Sequence, residues 1–349
     1  MTLWKRNGSV LFFSTVFTLT IFNRCIESNR PELPYESDIP RVIRQVQHSE
    51  SVSALSWSPD GKWLVSGGRD CRAVVWEPET GKVVRSFDCG KYYVYATDIS
   101  TDGRYLATAS DSVRIWDILN GSLIHDLPFS NARGQSVAFS PNSKWLAYCD
   151  QERVVRIWDI LLKKHVIDLE NNHMTIDAVA FSSDGSRIAG AGPAGYGLIY
   201  DTIPRQLRIW DITTGKQILV DRWRSREGVQ QVKFSPDDCF ILTSGKILIR
   251  NSITGNRLLK EYGNSDSIDF LSDSQQIAIG TTSRGIMVID LLEGSDRFQL
   301  NTKSGRADRV ALSPSGRLIA GAEPDGLISI WKIPTVYLQN NSNKSLTPR

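Results

Sequence analysis

Along most of this chain, short runs of alternating apolar and polar residues are separated by compact polar turns, and no stretch sustains the 3.6-residue period of a helix. From residue 48 onward one template recurs. It has an alternating first strand, a Ser-Pro-Asp-Gly-like turn, a second strand, a short loop and a third strand closed by an aromatic–acidic pair. The runs Trp63-Leu64-Val65 and Ala73-Val74-Val75-Trp76 are β-branched and aromatic, as buried strands are. The turns are Ser58-Pro59-Asp60-Gly61, Ser100-Thr101-Asp102-Gly103, Ser140-Pro141-Asn142-Ser143, Ser182-Ser183-Asp184-Gly185, Ser235-Pro236-Asp237-Asp238, Leu271-Ser272-Asp273-Ser274 and Ser313-Pro314-Ser315-Gly316. Proline pre-sets the first central position of such a reversal, and Asp and Gly tolerate the backbone conformations of the later positions.

The third strands end at Trp76-Glu77, Trp116-Asp117, Trp158-Asp159, Trp210-Asp211, Arg250-Asn251, Ile289-Asp290 and Trp331-Lys332, at successive spacings of 40, 42, 52, 40, 39 and 42 residues. Repeats of this length are one supersecondary unit each, and the period is that of four-stranded propeller blades. The chain resembles the WD-repeat family over about residues 41 to 333. The resemblance implies an all-β, seven-bladed β-propeller of four-stranded antiparallel blades. It also implies a structural set in each blade: a histidine before the first strand, a serine or threonine on the second, an aspartate in the following loop, and the tryptophan. Blade 1 carries all four as His48, Ser66, Asp70 and Trp76. Elsewhere the set decays. Blade 3 has Glu152 in the aspartate position, blade 7 has Asp325 without the histidine, and blades 5 and 6 lack the tryptophan. These residues satisfy buried polar groups and are not catalytic candidates.

The seventh repeat stops after three strands, at Trp331-Lys332-Ile333, which would leave an open edge. Arg41-Val42-Ile43-Arg44-Gln45-Val46 alternates suitably and is expected to pair there, closing the ring. The chain thus divides into a signal peptide or membrane anchor at 1–25, a linker at 26–40, the propeller at 41–334 and a disordered tail at 335–349. The first segment rests on Lys5 and Arg6 ahead of the apolar stretch Val10 to Phe22, which is short for a spanning helix but suits a secretory h-region or a tether through residues 10–22. The implied location is extracytoplasmic or membrane-associated; the alternative is a cytoplasmic chain whose first residues lie against the propeller.

Composition narrows function further. A net charge of +3 is too small for a nucleic-acid partner to be drawn by long-range field. Five scattered cysteines and four isolated histidines lack metal-site spacing, so no metal and no cofactor are expected, and Cys149 reads as a small core residue. Elbow, zincin and phosphate-loop motifs are missing, which argues against an enzyme. Gly190 to Gly195 matches a dinucleotide pattern only on paper, because Pro193 and the Tyr196–Pro204 run cannot supply the helix it needs. Blade 4 is about ten residues longer than its neighbours, the excess lying from about Gly192 to Arg205. Its Tyr196, Leu198, Ile199, Tyr200 and Ile203 suit either a partner-binding flap or a hairpin that extends the blade and packs on blade 5.

The links into the first strands place Tyr93 and Tyr95, Arg133 and Gln135, Asp177, Gln230, Asp266, and Arg306 and Asp308 around one end of the central channel. Tyrosine and arginine dominate binding hot spots. The expectation is therefore a monomeric, non-catalytic scaffold whose top face binds a protein or peptide through Tyr93, Tyr95, Arg133, Gln135, Tyr196, Tyr200 and Arg306. The alternative, from another class, is an exported propeller that binds or hydrolyses a small molecule or sugar there, with Asp177, Asp266 and Asp308 lining a pocket or holding a cation.

Overall fold

The computed structural model describes residues 40–129, 135–149, 154–170, 175–193, 204–225, 227–258, 264–291 and 293–334. The segments expected to form the leader or anchor, nearly all of the linker, and the tail lie outside these residues, as do Arg133, Glu152, Tyr196 and Tyr200.

Seven successive antiparallel meanders form seven blades, and every described element is a strand. Blade 1 shows the pattern: Val52–Trp57, Leu64–Gly68, Arg72–Trp76 and Val83–Asp88, each paired with the next. Second and third strands are buried nearly throughout, while the fourth is exposed on alternate residues. In blade 5 the strands Val232–Phe234, Phe240–Thr243 and Leu248–Asn251 are followed by Arg257 and Leu258, which begin the fourth place through an Arg250–Arg257 bridge and a Leu258 N–H to Ile249 carbonyl bond of 2.9 Å. The ring closes as the sequence implies. Arg41–Gln47 pairs antiparallel with Leu327–Lys332, from Arg41 opposite Lys332 to Gln47 opposite Leu327. Val46 is thereby buried in one apolar cluster with Trp57 of blade 1 and Ile328 of blade 7.

The turn motif has a physical reading. Ser58 donates to the Asp60 carboxylate at 2.7 Å and accepts the Trp63 N–H at 2.8 Å. Ser100, Ser140, Ser182 and Ser235 do the same with Asp102, Asn142, Asp184 and Asp237. One buried hydroxyl thus satisfies both sides of the reversal. The fourth turn residue takes positive φ in all seven blades, between 57° and 73°, which explains Gly61, Gly103, Gly185 and Gly316 and makes Ser143, Asp238 and Ser274 the exceptions.

Neighbouring blades are joined by side chains that satisfy the free edge of the next first strand. Asp98 of blade 2 accepts the Phe139 N–H of blade 3 at 2.7 Å, and Asp269 of blade 6 accepts the Leu312 N–H of blade 7 at 2.9 Å. Ser136, Gln231 and Ser267 accept the N–H groups of Val179, Ile268 and Val310. Asp238 bridges blades 4 and 5 by accepting from the Ser183 and Asp184 backbones, and the Trp57 indole donates to the Ala311 carbonyl at 3.0 Å across the closure.

The insertion of blade 4 differs from a plain loop. Arg187–Pro193 and Pro204–Asp211 stay paired as far as Pro193 opposite Arg205, so both ends of the expected insertion are strand, and residues 194–203 between them lie outside the described set. The fourth strand, Gln217–Arg224, is lengthened to match and buries Trp223 against Val229, Val232 and Phe234 of blade 5. Gly190 and Gly192 are strand residues: a Cβ on Gly190 would come within 2.9 Å of the Trp210 ring, and one on Gly192 within 2.5 Å of the Thr175 carbonyl. Close packing accounts for glycine there, and both glycines lie within a strand.

Candidate functional site at the channel mouth

In a four-stranded meander, the links entering each first strand and those joining second to third strands emerge at the same end of the blade. The first strands surround a channel, whose cavity of about 900 Å³ runs from this end along the first strands to the turns at Pro59, Thr101, Pro141 and Ser183, lined by residues of blades 1 to 5 and by Arg309 of blade 7. The structure brings Tyr93, Tyr95, Gln135, Asp177 and Gln230 together on its wall.

The aromatic side of the mouth is built by two links. Tyr93 is 45% exposed and lies on the link into the Ala96–Ile99 strand; the buried Val94 beside it anchors that link in the core. The Arg69 guanidinium sits 5.5 Å from the centre of the Tyr93 ring, and the Tyr95 ring centre lies 6.4 Å from that of Tyr93, tilted by 52°. Cation, ring and ring form a ladder held from blade 1 to blade 2. Sequence reasoning did not single out Arg69. It follows a Gly-Gly pair at the end of a second strand, and only the register places it beside the next blade's link.

The channel wall beside blade 1 is organised by Arg309, also missed. Its Nε donates to the Ser53 carbonyl at 2.6 Å, Nη1 to the Asp308 carbonyl at 2.7 Å and Nη2 to the Gln230 side-chain oxygen at 3.0 Å. One guanidinium therefore ties blade 7 to blades 1 and 5. Burial lowers its pKa, opposed by the charges of Asp266 and Asp308. Arg306 is exposed, but its Nε donates to the Asp308 carboxylate, so it reaches a partner only as one half of an ion pair. Asp266 is exposed on the rim.

Deeper in, Asp177 has its pKa pushed up to about 6 by burial, against the opposing charge of Arg205. Asp98 is likewise pushed up to about 6 by burial, against the Phe139 N–H and the charge of Lys233. Lys233 spans toward Asp269, with Nζ 3.2 Å from its carboxylate, and the two acids hold the ammonium pKa above its ordinary value. Asp177, Asp266 and Asp308 lie on the links of three different blades, and among the described residues no group of three or more His, Cys, Asp and Glu side chains is placed to hold a metal ion. Among the same residues no helix is long and apolar enough to cross a membrane.

None of the blade 1 set lines the cavity. The Trp76 indole donates to the Ser66 hydroxyl at 2.8 Å in the core. His48 is 1% exposed with Nδ1 3.4 Å from the Asp70 carboxylate, and burial lowers its pKa despite that carboxylate. Asp70 also accepts the Ser49 hydroxyl and the Arg72 N–H. It thereby holds the turn between second and third strands.

Seven meanders, a closing first strand and a channel ringed by inter-blade contacts define a β-propeller. Three segments, residues 41–77, 81–117 and 135–159, match the family model described as WD domain, G-beta repeat, and the chain is a WD-repeat propeller. Over 317 residues it is 22% identical to eukaryotic translation initiation factor 3 subunit I of Drosophila yakuba, covering 84% of this chain and 98% of that protein. The same subunit of Drosophila melanogaster is also 22% identical, with 97% of it covered. A shorter stretch of 141 residues is 27% identical to Protein HIR1 of Candida albicans, covering 35% of this chain and 16% of that protein.

Proposed function

We propose that this chain is a non-catalytic scaffold that recognises a protein or peptide at the channel mouth, with Tyr93, Tyr95 and Gln135 as its described contacts. Arg133, Tyr196 and Tyr200 belong to the same proposal from outside the described residues, and Arg306 contributes through its pair with Asp308. The observation that carries it is the Arg69–Tyr93–Tyr95 ladder: a wide, rigid, half-exposed aromatic and cationic surface beside a cavity, made of the residue types that concentrate binding energy. A relative named as a subunit of an initiation factor supports membership of a multi-protein assembly, and favours the cytoplasm over export. The surface suits a partner that lays an arginine or an aromatic group across the rings.

The test is quantitative capture from the native host by the C-terminally tagged full chain, wild type against Arg69→Ala/Tyr93→Ala. Both side chains are on the surface, so the melting temperature should hold while one co-purifying protein falls by roughly tenfold or more, as loss of a hot spot implies. Equal recovery by both forms would remove the ladder from the interface.

A further inference from the structure

We propose that the outer edge of blade 4 is a second docking site, which takes an extended peptide of alternating acidic and apolar residues as a fifth strand. The Gln217–Arg224 strand has eight residues, against six in blades 1 and 2, seven in blade 3 and five in blade 6. An outer strand presents N–H and C=O groups of alternate residues with no ladder partner, and a long one is a template for another chain. Natural edges are blunted by charge; on one face of this strand the charges share a single sign.

The side chains fix the chemistry of the occupant. Leu219, Asp221 and Trp223 point toward blade 5, where Asp221 is engaged by Arg250 and Arg257 at 2.6 and 2.8 Å. From Leu219 onward the strand alternates, so Val220, Arg222 and Arg224 share the other face, while Ile218 falls in the bulge between Gln217 and Leu219. Ile218 is 54% exposed and Val220 is 40% exposed. Arg208 stands opposite Val220 in the neighbouring strand and joins that face. It is met by the side chains of Gln206 and Gln217, and burial together with the like charge of Arg222 lowers its pKa. Three arginines therefore lie on one face, and no carboxylate is within ion-pair distance of any of them among the described residues. Other outer strands neutralise their charges locally, as Asp126 does with Arg114, Asp168 with Arg156 and Arg297 with Asp290.

The Arg222 carbonyl already accepts from Arg257 at 2.8 Å. The incoming strand accordingly pairs along Gln217–Asp221, presents its acidic side chains on the face of Arg208, Arg222 and Arg224, and turns its alternate, apolar residues to the opposite face, that of Leu219. An RNA strand fits less well: the aromatic residue of this strand, Trp223, is buried under Arg250 and offers no surface for base stacking.

The probe is a fluorescein-labelled octapeptide of alternating valine and glutamate, titrated with the full chain and read by anisotropy at two salt concentrations. Saturable binding is expected, weakened by roughly tenfold or more in Arg222→Glu/Arg224→Glu, whose exposed positions leave the melting temperature unchanged. Two versions of the peptide, N-methylated on alternate residues in either register, separate strand pairing from charge attraction alone: one register must lose binding and the other keep it. The proposal is overturned by an octapeptide that does not bind, by equal binding of both N-methylated registers, or by an oligouridylate of equal charge that binds as tightly. Arg69→Ala/Tyr93→Ala should bind the octapeptide like wild type, which separates this edge from the channel mouth.

Discussion

Arg250 donates from Nη1 to the hydroxyl of Thr243 at 3.1 Å, in the register that Trp76 and Ser66 occupy in blade 1. The loss of tryptophan from blade 5 is therefore a replacement. The guanidinium is fully buried, lies 4.3 Å from the centre of the Trp223 ring and donates from Nε to Asp221 at 2.6 Å, while burial brings its pKa down to about 10. Its Nη2 has no hydrogen-bond partner among the described residues. Removing one member of a buried pair leaves the other uncompensated. Arg250→Ala is expected to lower unfolding free energy by about 3 kcal/mol. Arg250→Trp should cost much less, because an indole can meet Thr243 as Trp116 meets Thr108 at 3.0 Å and Asp221 keeps Arg257. Urea unfolding of the two variants checks this, and equal losses would show that the charge, rather than the volume, holds blade 5.

Blade 4 solves the same position differently. Gly190 stands where blades 1 and 2 have Ser66 and Thr108, and the Trp210 ring leans into the space a side chain would fill. Gly190→Ser would bring the chain nearer to the family pattern, yet its Cβ would press on Trp210 at 2.9 Å and on Ile176 at 3.3 Å. Overpacking a rigid core is expected to destabilise by about 1 to 3 kcal/mol in spite of the new hydroxyl. A stabilised variant in the same denaturation assay would mean that Trp210 can swing back to the blade 1 arrangement.

Blade number, turn positions and ring closure were legible in the sequence because each is encoded locally. A Ser-x-Asp turn hydrogen-bonds within five residues of itself, as Ser58, Asp60 and Trp63 do, and an aromatic–acidic strand end marks one blade at a time. The channel mouth was only half legible. Tyr93, Tyr95 and Gln135 stand at countable offsets before their strands, whereas Arg69 and Arg309 act across blade boundaries, and Arg309 reaches a glutamine 79 residues earlier in the chain. Spacing carries no trace of such a contact. The arginine in place of tryptophan was visible only as an irregularity, since Asp221, which makes it tolerable, lies 29 residues away on an outer strand. The insertion reads equally as a flap or as a hairpin extending the blade because proline and glycine punctuate it; Pro193 and Pro204 sit at strand ends, where a missing N–H is tolerated.

The acids of the channel give stability a pH dependence of unusual sign. Asp98 titrates at about 6 in the folded chain, against an ordinary value of 3.8, because burial disfavours its charge more than the Phe139 N–H and Lys233 favour it. Between those two values the folded chain keeps a proton that the unfolded chain has released. The contribution of Asp98 is therefore most favourable at the acidic end, declines as pH rises through 6 and stays low above it. Asp177 adds in the same direction, whereas Asp184, Asp221 and Asp237, whose pKa values are lowered, lose stabilisation on acidification. The whole-protein curve mixes the two groups, so the informative quantity is the difference between wild type and Asp98→Asn. Asparagine retains an acceptor for the Phe139 N–H, and Lys233 keeps Asp269 at 3.2 Å. From pH 4.5 to 7.5 the difference should move in favour of the variant by roughly 1 to 2 kcal/mol, from about 1.4 kcal/mol per pH unit over which one site titrates. Thermal unfolding at those two pH values measures it, and a gap that does not change with pH would mean that Asp98 keeps its charge throughout, with Lys233 and the Phe139 N–H outweighing its burial.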